Sequence, residues 1–281
     1  MKDLSNKNIV HIKKDGIEYL QFRKLLEYPE IVHGYSLGLD KNFRTSSINK
    51  LDEEKNKELY NKAINDYKTF CNSLDTNYIN IVKPIQNHTD NIKIVENKIN
   101  ENMADCNLNE YADLDGLITN RKNLILSTTN ADCILLIFYD PVKKVIANVH
   151  SGWKGTLKRI SVKTVEKMVK EFDCKYTDIV CCICPSIRKC HFEVEEDVQN
   201  MFNEEFCDLV KKDNIIEHNI ENNKWNIDTV KINRLILKKI GLKEENIIDS
   251  KICSCCQSDL IHSYRIEKEG YGLHTVLIEM K

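Results

Sequence analysis

Residues 123–172, NLILSTTNADCILLIFYDPVKKVIANVHSGWKGTLKRISVKTVEKMVKEF, decide how this chain folds. LILSTT, CILLIFY and VIANVH are aliphatic and β-branched, short enough to be strands, and apolar on both faces as strands of a covered sheet are. Asp140-Pro141 turns the second run into the third. The rest of the segment places Ile160, Val162, Val165, Met168 and Val169 on one side of a helix expected to begin near Thr156. Cys133 then opens one strand of an antiparallel hairpin and His150 closes the other, and in a hairpin those two ends are neighbours.

Residues 7–36 (NIVHI, GIEYLQF, IVHGYS) alternate in short apolar groups that predict strands joined by turns. Residues 51–74 place Leu51, Leu59, Tyr60, Ala63, Ile64, Tyr67, Phe70 and Leu74 at helical spacing, with acidic residues in the first turn. INIVKPIQ and NIKIVE read as strands, with Asn87-His88-Thr89-Asp90 as a tight turn between them. DIVCCICPSIRKCHFEV predicts a strand, a turn and a short extended piece. EEDVQNMFNEEFCDLVKK and WNIDTVKINRLILKKIGL predict amphipathic helices, the second closed by Gly241. HSYR (262–265) and HTVLIEM (274–280) read as strands. Strands and helices are mixed without a regular βα repeat, so the expectation is an α+β sandwich rather than a doubly wound sheet. No Gly/Ser-rich or Pro-rich linker divides the chain, and one domain over residues 1–281 is expected.

With 41 Lys and Arg against 43 Asp and Glu, the net charge of −2 provides no field to attract a polyanion, so no nucleic-acid partner is expected. No apolar run approaches the roughly 18 residues of a membrane helix, and the N-terminal residues lack a signal-peptide pattern. A cytoplasmic location without membrane attachment is the expectation. There the 12 cysteines are read as buried thiols, metal ligands or a nucleophile rather than a disulfide framework.

His88, Cys133 and His150 match the ligand count of a catalytic zinc, which takes three protein donors and leaves a fourth position open. Their spacing matches no compact metal motif, and on spacing alone a core cysteine and two loop histidines is the simpler reading. CCIC (181–184) and CSCC (253–256) each contain C-x-x-C, and together they could supply a four-cysteine zinc site. The first lies in an apparent buried strand, where Cys181 and Cys182 face opposite ways, and buried thiols are favoured there. The second is left open.

Taken in order, QNHTD (86–90), DLDGLIT (113–119), NADC (130–133), HSGWKG (150–155), CPSIRKCHFEV (184–194) and HSYR (262–265) form a series. From about Gly34 to the C-terminus, it resembles the bacterial family long labelled multicopper polyphenol oxidoreductase, or laccase, and now regarded as purine nucleoside phosphorylases that also deaminate adenosine. The resemblance implies a layered α/β/β/α fold with mixed sheets and a zinc ion on His88, Cys133 and His150, with copper as the alternative metal. It implies phosphorolysis of adenosine, inosine and methylthioadenosine to base and ribose 1-phosphate, and adenosine deamination at the same site. The substrates are then purine nucleosides and phosphate.

The chain departs from that family where arginines are usual. HGYSLGLDKNFR has Leu37 or Gly38 near one such place, with Arg44 the nearest replacement; Arg265 is followed by Ile266; and GYGLH (270–274) replaces a Thr-Gly-Arg element. Arg265 is the first candidate to hold phosphate, because its fork matches phosphate oxygens, and Lys154 the second. For deamination, zinc would bring a bound water to a pKa of about 7, with Asp132 or Glu193 as candidate proton carriers. Three other readings stay open. Cys133 and His150 could act as nucleophile and base in a hydrolase or amidase acting on cell-wall precursors. A copper-dependent polyphenol oxidase is weaker, since multicopper chemistry needs many histidines and the chain has 8. A non-catalytic metal-binding protein would fill all four metal positions itself.

Overall fold

In the computed structural model, which describes residues 2–45, 53–97 and 111–281, the central hairpin forms as the sequence predicts. Strand Ile134–Asp140 pairs antiparallel with Val145–Ser151, with Leu135 opposite His150 and Ile134 opposite Ser151. Every residue of both strands is buried, because this hairpin lies at the middle of a six-stranded mixed sheet. Val180–Ile183, antiparallel, and Ile247–Asp249, parallel to it, extend that sheet on one side. Gly116–Thr119 and Ile92–Ile94 extend it on the other.

A second six-stranded sheet joins the chain's two ends to strand Ile125–Asn130 and, parallel to it at the edge, Ile81–Val82. Ile9–Lys14, Ile17–Phe22 and Ile31–Ser36 form a meander, and the C-terminal strand His274–Met280 pairs with the last of these and with Ile125–Asn130. Side-chain alternation assigns the faces. Val276 and Ile278 point to the core shared with Leu135, Ile137 and Cys182 of the first sheet, while Leu277 points outward to Tyr67, Phe70 and Leu74 of helix Glu53–Ser73. The outer face of the first sheet, with Leu136, Phe138 and Cys181, is covered by Ile160, Val165 and Met168 of helix Ile160–Phe172 and by Val230 and Leu237 of helix Thr229–Lys239. Helix, sheet, sheet and helix therefore stack in that order, an α+β layered sandwich of mixed sheets. Cys181 and Cys182 face opposite cores, as strand alternation requires.

Several boundaries differ from the sequence reading. The helix expected near Thr156 starts at Trp153, stops at Leu157 and restarts at Ile160, because Arg159 takes a left-handed φ of 58°. The helix of residues 195–212 is likewise two, Glu196–Glu205 and Cys207–Asp213. WNI joins a small sheet as strand Lys224–Ile227, and its helix begins only at Thr229, where Asp228 caps the Lys231 amide at 2.8 Å. HSYR is not a strand. Ser263 caps a short helix, Tyr264–Glu267, that projects Tyr264 outward. Leu51, placed by periodicity on the N-terminal helix, lies outside the described residues. No helix among the described residues is long and apolar enough to cross a membrane.

Candidate metal centre

Hairpin pairing puts Cys133, at the entry to one strand, beside His150 near the exit of the other. The Nδ1 or Nε2 atoms of His88 and His150 and the Sγ of Cys133 all lie within 4.8 Å of one another. Cys133 Sγ is 3.9 Å from His88 Nε2, and the two imidazoles meet nearly edge to face, with centroids 5.0 Å apart.

His88 reaches this position from outside the hairpin, through two devices. The first is Gln86, whose side-chain amide accepts from the Thr129 N–H at 2.8 Å and donates to the Thr129 carbonyl at 2.8 Å, standing in for a neighbouring strand. The second is Asp115, fully buried between the loop and the hairpin. Its carboxylate accepts from the amides of Asn87 (3.3 Å), His88 (3.2 Å) and Thr89 (2.6 Å), from the Thr89 hydroxyl (2.7 Å) and from His150 Nδ1 (2.7 Å). With Nδ1 committed to Asp115, His150 presents Nε2 to the cluster, the carboxylate–histidine arrangement that orients metal ligands. His88 itself has a left-handed φ of 59°, held in place by those amide bonds.

Gly152 completes the floor. A Cβ there would lie 2.8 Å from His88 Cδ2 and 3.2 Å from Cys133 Sγ, so any side chain at 152 would fill the space between the ligands. A soft sulfur and two imidazoles, converging with one side open, fit a zinc ion. The same donor set occurs in blue copper sites, but those add a weak axial methionine or equivalent, and no methionine among the described residues lines the adjoining cavity.

In the metal-free chain the three groups polarise one another. Burial opposes ionisation of the Cys133 thiol, but the charge of His150 beside it outweighs burial and brings the thiol down to about 6. Burial likewise opposes the imidazolium of His150, but the Cys133 thiolate and the Asp115 carboxylate raise it to about 9. Alkylation of Cys133 by iodoacetamide in metal-free protein is therefore expected to show a midpoint near pH 6, against about 8.5 for an ordinary cysteine. Mass-spectrometric rates as a function of pH would measure it, and a midpoint above pH 8 would refute the pairing.

The cluster opens into a cavity of about 720 Å³. Trp153, Phe192, Tyr264 and Tyr271 supply aromatic walls, and Arg44, Lys83 and Arg265 supply positive charge. Arg265 donates its backbone N–H to Asp132 at 2.7 Å and its guanidinium Nη2 to the Glu193 carbonyl at 3.0 Å. Arg44 stacks on Tyr271, 4.3 Å from the ring centroid, and donates Nη2 to the Tyr271 carbonyl, while its Nε is buried with no hydrogen-bond partner among the described residues.

Two candidate proton carriers have other work. Asp132 uses its carboxylate to accept from Ser254 Oγ (2.5 Å) and from the Arg265 amide, which positions those segments. The Glu193 carboxylate accepts from Asn222 at 2.6 Å and pairs with Lys224 at 3.8 Å, and only its backbone faces Arg265. Lys154 is exposed over the Trp153 ring and does not line the cavity. Gln86, Asp115 and Gly152 fall inside the segments 86–90, 113–119 and 150–155, but neither spacing nor periodicity marks them out from their neighbours.

A family model described as multi-copper polyphenol oxidoreductase laccase matches residues 50–281. A relative named purine nucleoside phosphorylase YlmD, from Bacillus subtilis, is 32% identical over 167 residues, and the match spans 59% of this chain and 59% of that protein. A protein of an unknown prokaryotic organism named adenosine deaminase RL5 is 25% identical over 89% of this chain and 93% of its own length. The crystal structure of the Bacillus licheniformis hypothetical protein YfiH shares the fold, with a TM-score of 0.81, 24% identity, and coverage of 98% of this chain and 100% of that one.

Proposed function

From the premise that this chain belongs to the multi-copper polyphenol oxidoreductase laccase family, we propose that it is a zinc-dependent purine nucleoside phosphorylase that also deaminates adenosine at the same centre. The observation that carries this reading is the convergence of two arginines and a three-ligand cluster on one aromatic-walled cavity. Its volume is in the range of small-molecule sites, large enough for a nucleoside with phosphate beside it. The names borne by relatives of the same family support the choice of substrates.

When bound by His88, Cys133 and His150, zinc supplies Lewis acidity to a water or substrate atom in the position those residues leave open. The chain's own groups do the rest. Aromatic walls receive the purine and exclude water. Arg44 and Arg265 hold phosphate against C1′ of the ribose, the planar forks of their guanidinium groups matching its oxygens. Arg44 thus replaces the arginine missing near Leu37. Phosphorolysis converts adenosine and phosphate to adenine and ribose 1-phosphate; deamination converts adenosine and water to inosine and ammonia. Because Asp132 ties the Arg265 amide to the residue preceding Cys133, the phosphate and metal subsites share one anchor.

The test is to incubate the zinc-loaded chain with adenosine, with and without phosphate, following adenine, inosine and hypoxanthine. Phosphate-dependent adenine release and phosphate-independent inosine are expected. Arg44→Ala should raise the phosphate KM about 10- to 100-fold, the loss of one charge-assisted hydrogen-bonding group. Zinc-loaded protein that forms neither product rules the proposal out. A second reading, a cysteine hydrolase, is favoured by the lowered Cys133 thiol, and it requires turnover by metal-free protein that alkylation of Cys133 abolishes.

A further inference from the structure

We propose that Cys190, His191, Cys253 and Cys256 bind a second zinc ion in a closed structural site that staples two loops beside the cavity. Their ligand atoms all lie within 4.8 Å of one another, and none of the four lines the cavity. Cys190 Sγ is 3.6 Å from Cys253 Sγ and 3.9 Å from Cys256 Sγ. His191 Nδ1 is 3.1 Å from Cys190 Sγ, 3.7 Å from Cys253 Sγ and 3.7 Å from Cys256 Sγ. A tetrahedron with zinc–sulfur bonds of about 2.3 Å and a zinc–nitrogen bond of about 2.0 Å has edges of about 3.8 Å between sulfurs and about 3.5 Å from nitrogen to sulfur. These five separations lie within about 0.4 Å of those edges, and Cys253 Sγ and Cys256 Sγ are within 4.8 Å of each other.

Three thiols this close cannot ionise together without a cation between them. Sulfur-rich donors select zinc over harder cations, and a Cys3His set filling all four positions is a structural zinc arrangement that leaves no place for substrate. The site needs no rearrangement to close. Ser186 and Cys253 already form a parallel bridge, the Ser254 amide donates to the Ser186 carbonyl at 3.1 Å, and Arg188 forks onto Asp249 below.

The loops so joined both serve the cavity. Residues 187 and 192, flanking the Cys190-His191 pair, contribute Ile187 and Phe192 to its wall. Ser254, between Cys253 and Cys256, holds the Asp132 carboxylate that positions Arg265. The second ion is therefore placed to keep the wall and the arginine in register with the metal centre, and its existence does not depend on which reaction that centre performs.

The test uses the full chain purified under reducing conditions and desalted, with zinc measured by mass spectrometry. About two zinc per chain are expected for the native protein, about one for Cys133→Ala and about one for Cys256→Ser. X-ray absorption at the zinc edge of the Cys133→Ala protein should show three sulfurs and one nitrogen. In the unmutated protein, the exposed Cys190 and Cys256 should resist iodoacetamide until a chelator is added. A native protein with one zinc that Cys256→Ser leaves unchanged, a residual zinc with only nitrogen and oxygen ligands, or Cys190 and Cys256 alkylated at the same rate with and without chelator would each overturn the proposal.

Discussion

Replacement of Cys133 by alanine is expected to empty the His88–Cys133–His150 centre and to lower both phosphorolysis and deamination by about 10²- to 10³-fold or more, the scale on which a preorganised electrostatic stabiliser is lost. The fold should survive. Cys133 lies at a strand entry, half-buried beside the cavity, and its backbone carbonyl remains free to accept from Asn130 Nδ2, which also bonds Pro185 and so fixes the turn. Circular dichroism and thermal melting should match the native chain closely, while zinc falls to the single equivalent held by the Cys190 cluster. Activity within about tenfold of native in protein that has lost that zinc would remove the metal centre from the reaction. A second variant, Cys133→His, separates the readings of Cys133. Loss of activity that added zinc restores in Cys133→His, where an imidazole replaces the thiolate as donor, identifies a ligand; loss that it does not restore, with turnover by metal-free native protein, identifies a nucleophile.

The ease with which each part of this site is read from sequence follows the range of the interaction that makes it. The Cys133–His150 pairing is legible because the short connection at Asp140-Pro141 folds two apolar runs of similar length back on each other, which brings the start of one beside the end of the other. His88 comes to the same place through Gln86 and Asp115, side-chain contacts to strands more than 25 positions away, and no periodicity records those. Resemblance to a family points to it; spacing does not. Asp115 is hidden among near neighbours, since Asp113 two positions earlier has the same chemistry but holds the Asn87 side chain at the surface. The two C-x-x-C runs show the opposite failure. Their matched spacing suggests pairing with each other, yet strand alternation sends Cys181 and Cys182 into separate cores, and CSCC finds its partner in the Cys190-His191 dipeptide across a parallel bridge. HSYR reads as a strand because its residue types suit one, but Ser263 caps the following turn and makes it a helix.

Asp115→Asn is expected to weaken zinc binding at the His88–Cys133–His150 cluster about 10- to 100-fold, the usual cost of losing the carboxylate behind a metal-bound histidine. An amide is nearly isosteric with the carboxylate but cannot accept at both ends. One oxygen of Asp115 takes His150 Nδ1 and the His88 amide, the other the amides of Asn87 and Thr89 and the Thr89 hydroxyl, so whichever way the asparagine turns, its NH2 faces donors. Because the group is fully buried and no water can take over, the fold should also lose about 3–5 kcal/mol. The effect has a pH signature. Burial works to raise the Asp115 carboxyl, but His150 and the Thr89 donors outweigh it and hold the carboxyl below its ordinary value. A group lowered in the folded state adds stability above its unfolded pKa and loses it as pH falls through the folded value, so the native chain should lose this contribution below about pH 4 while Asp115→Asn lacks it at every pH. Chelator competition would measure the affinity and denaturant melts at pH 7 and pH 3.5 the stability. If Asp115→Asn binds zinc within threefold of native, neither His150 nor the His88 loop depends on that carboxylate for its place in the metal centre.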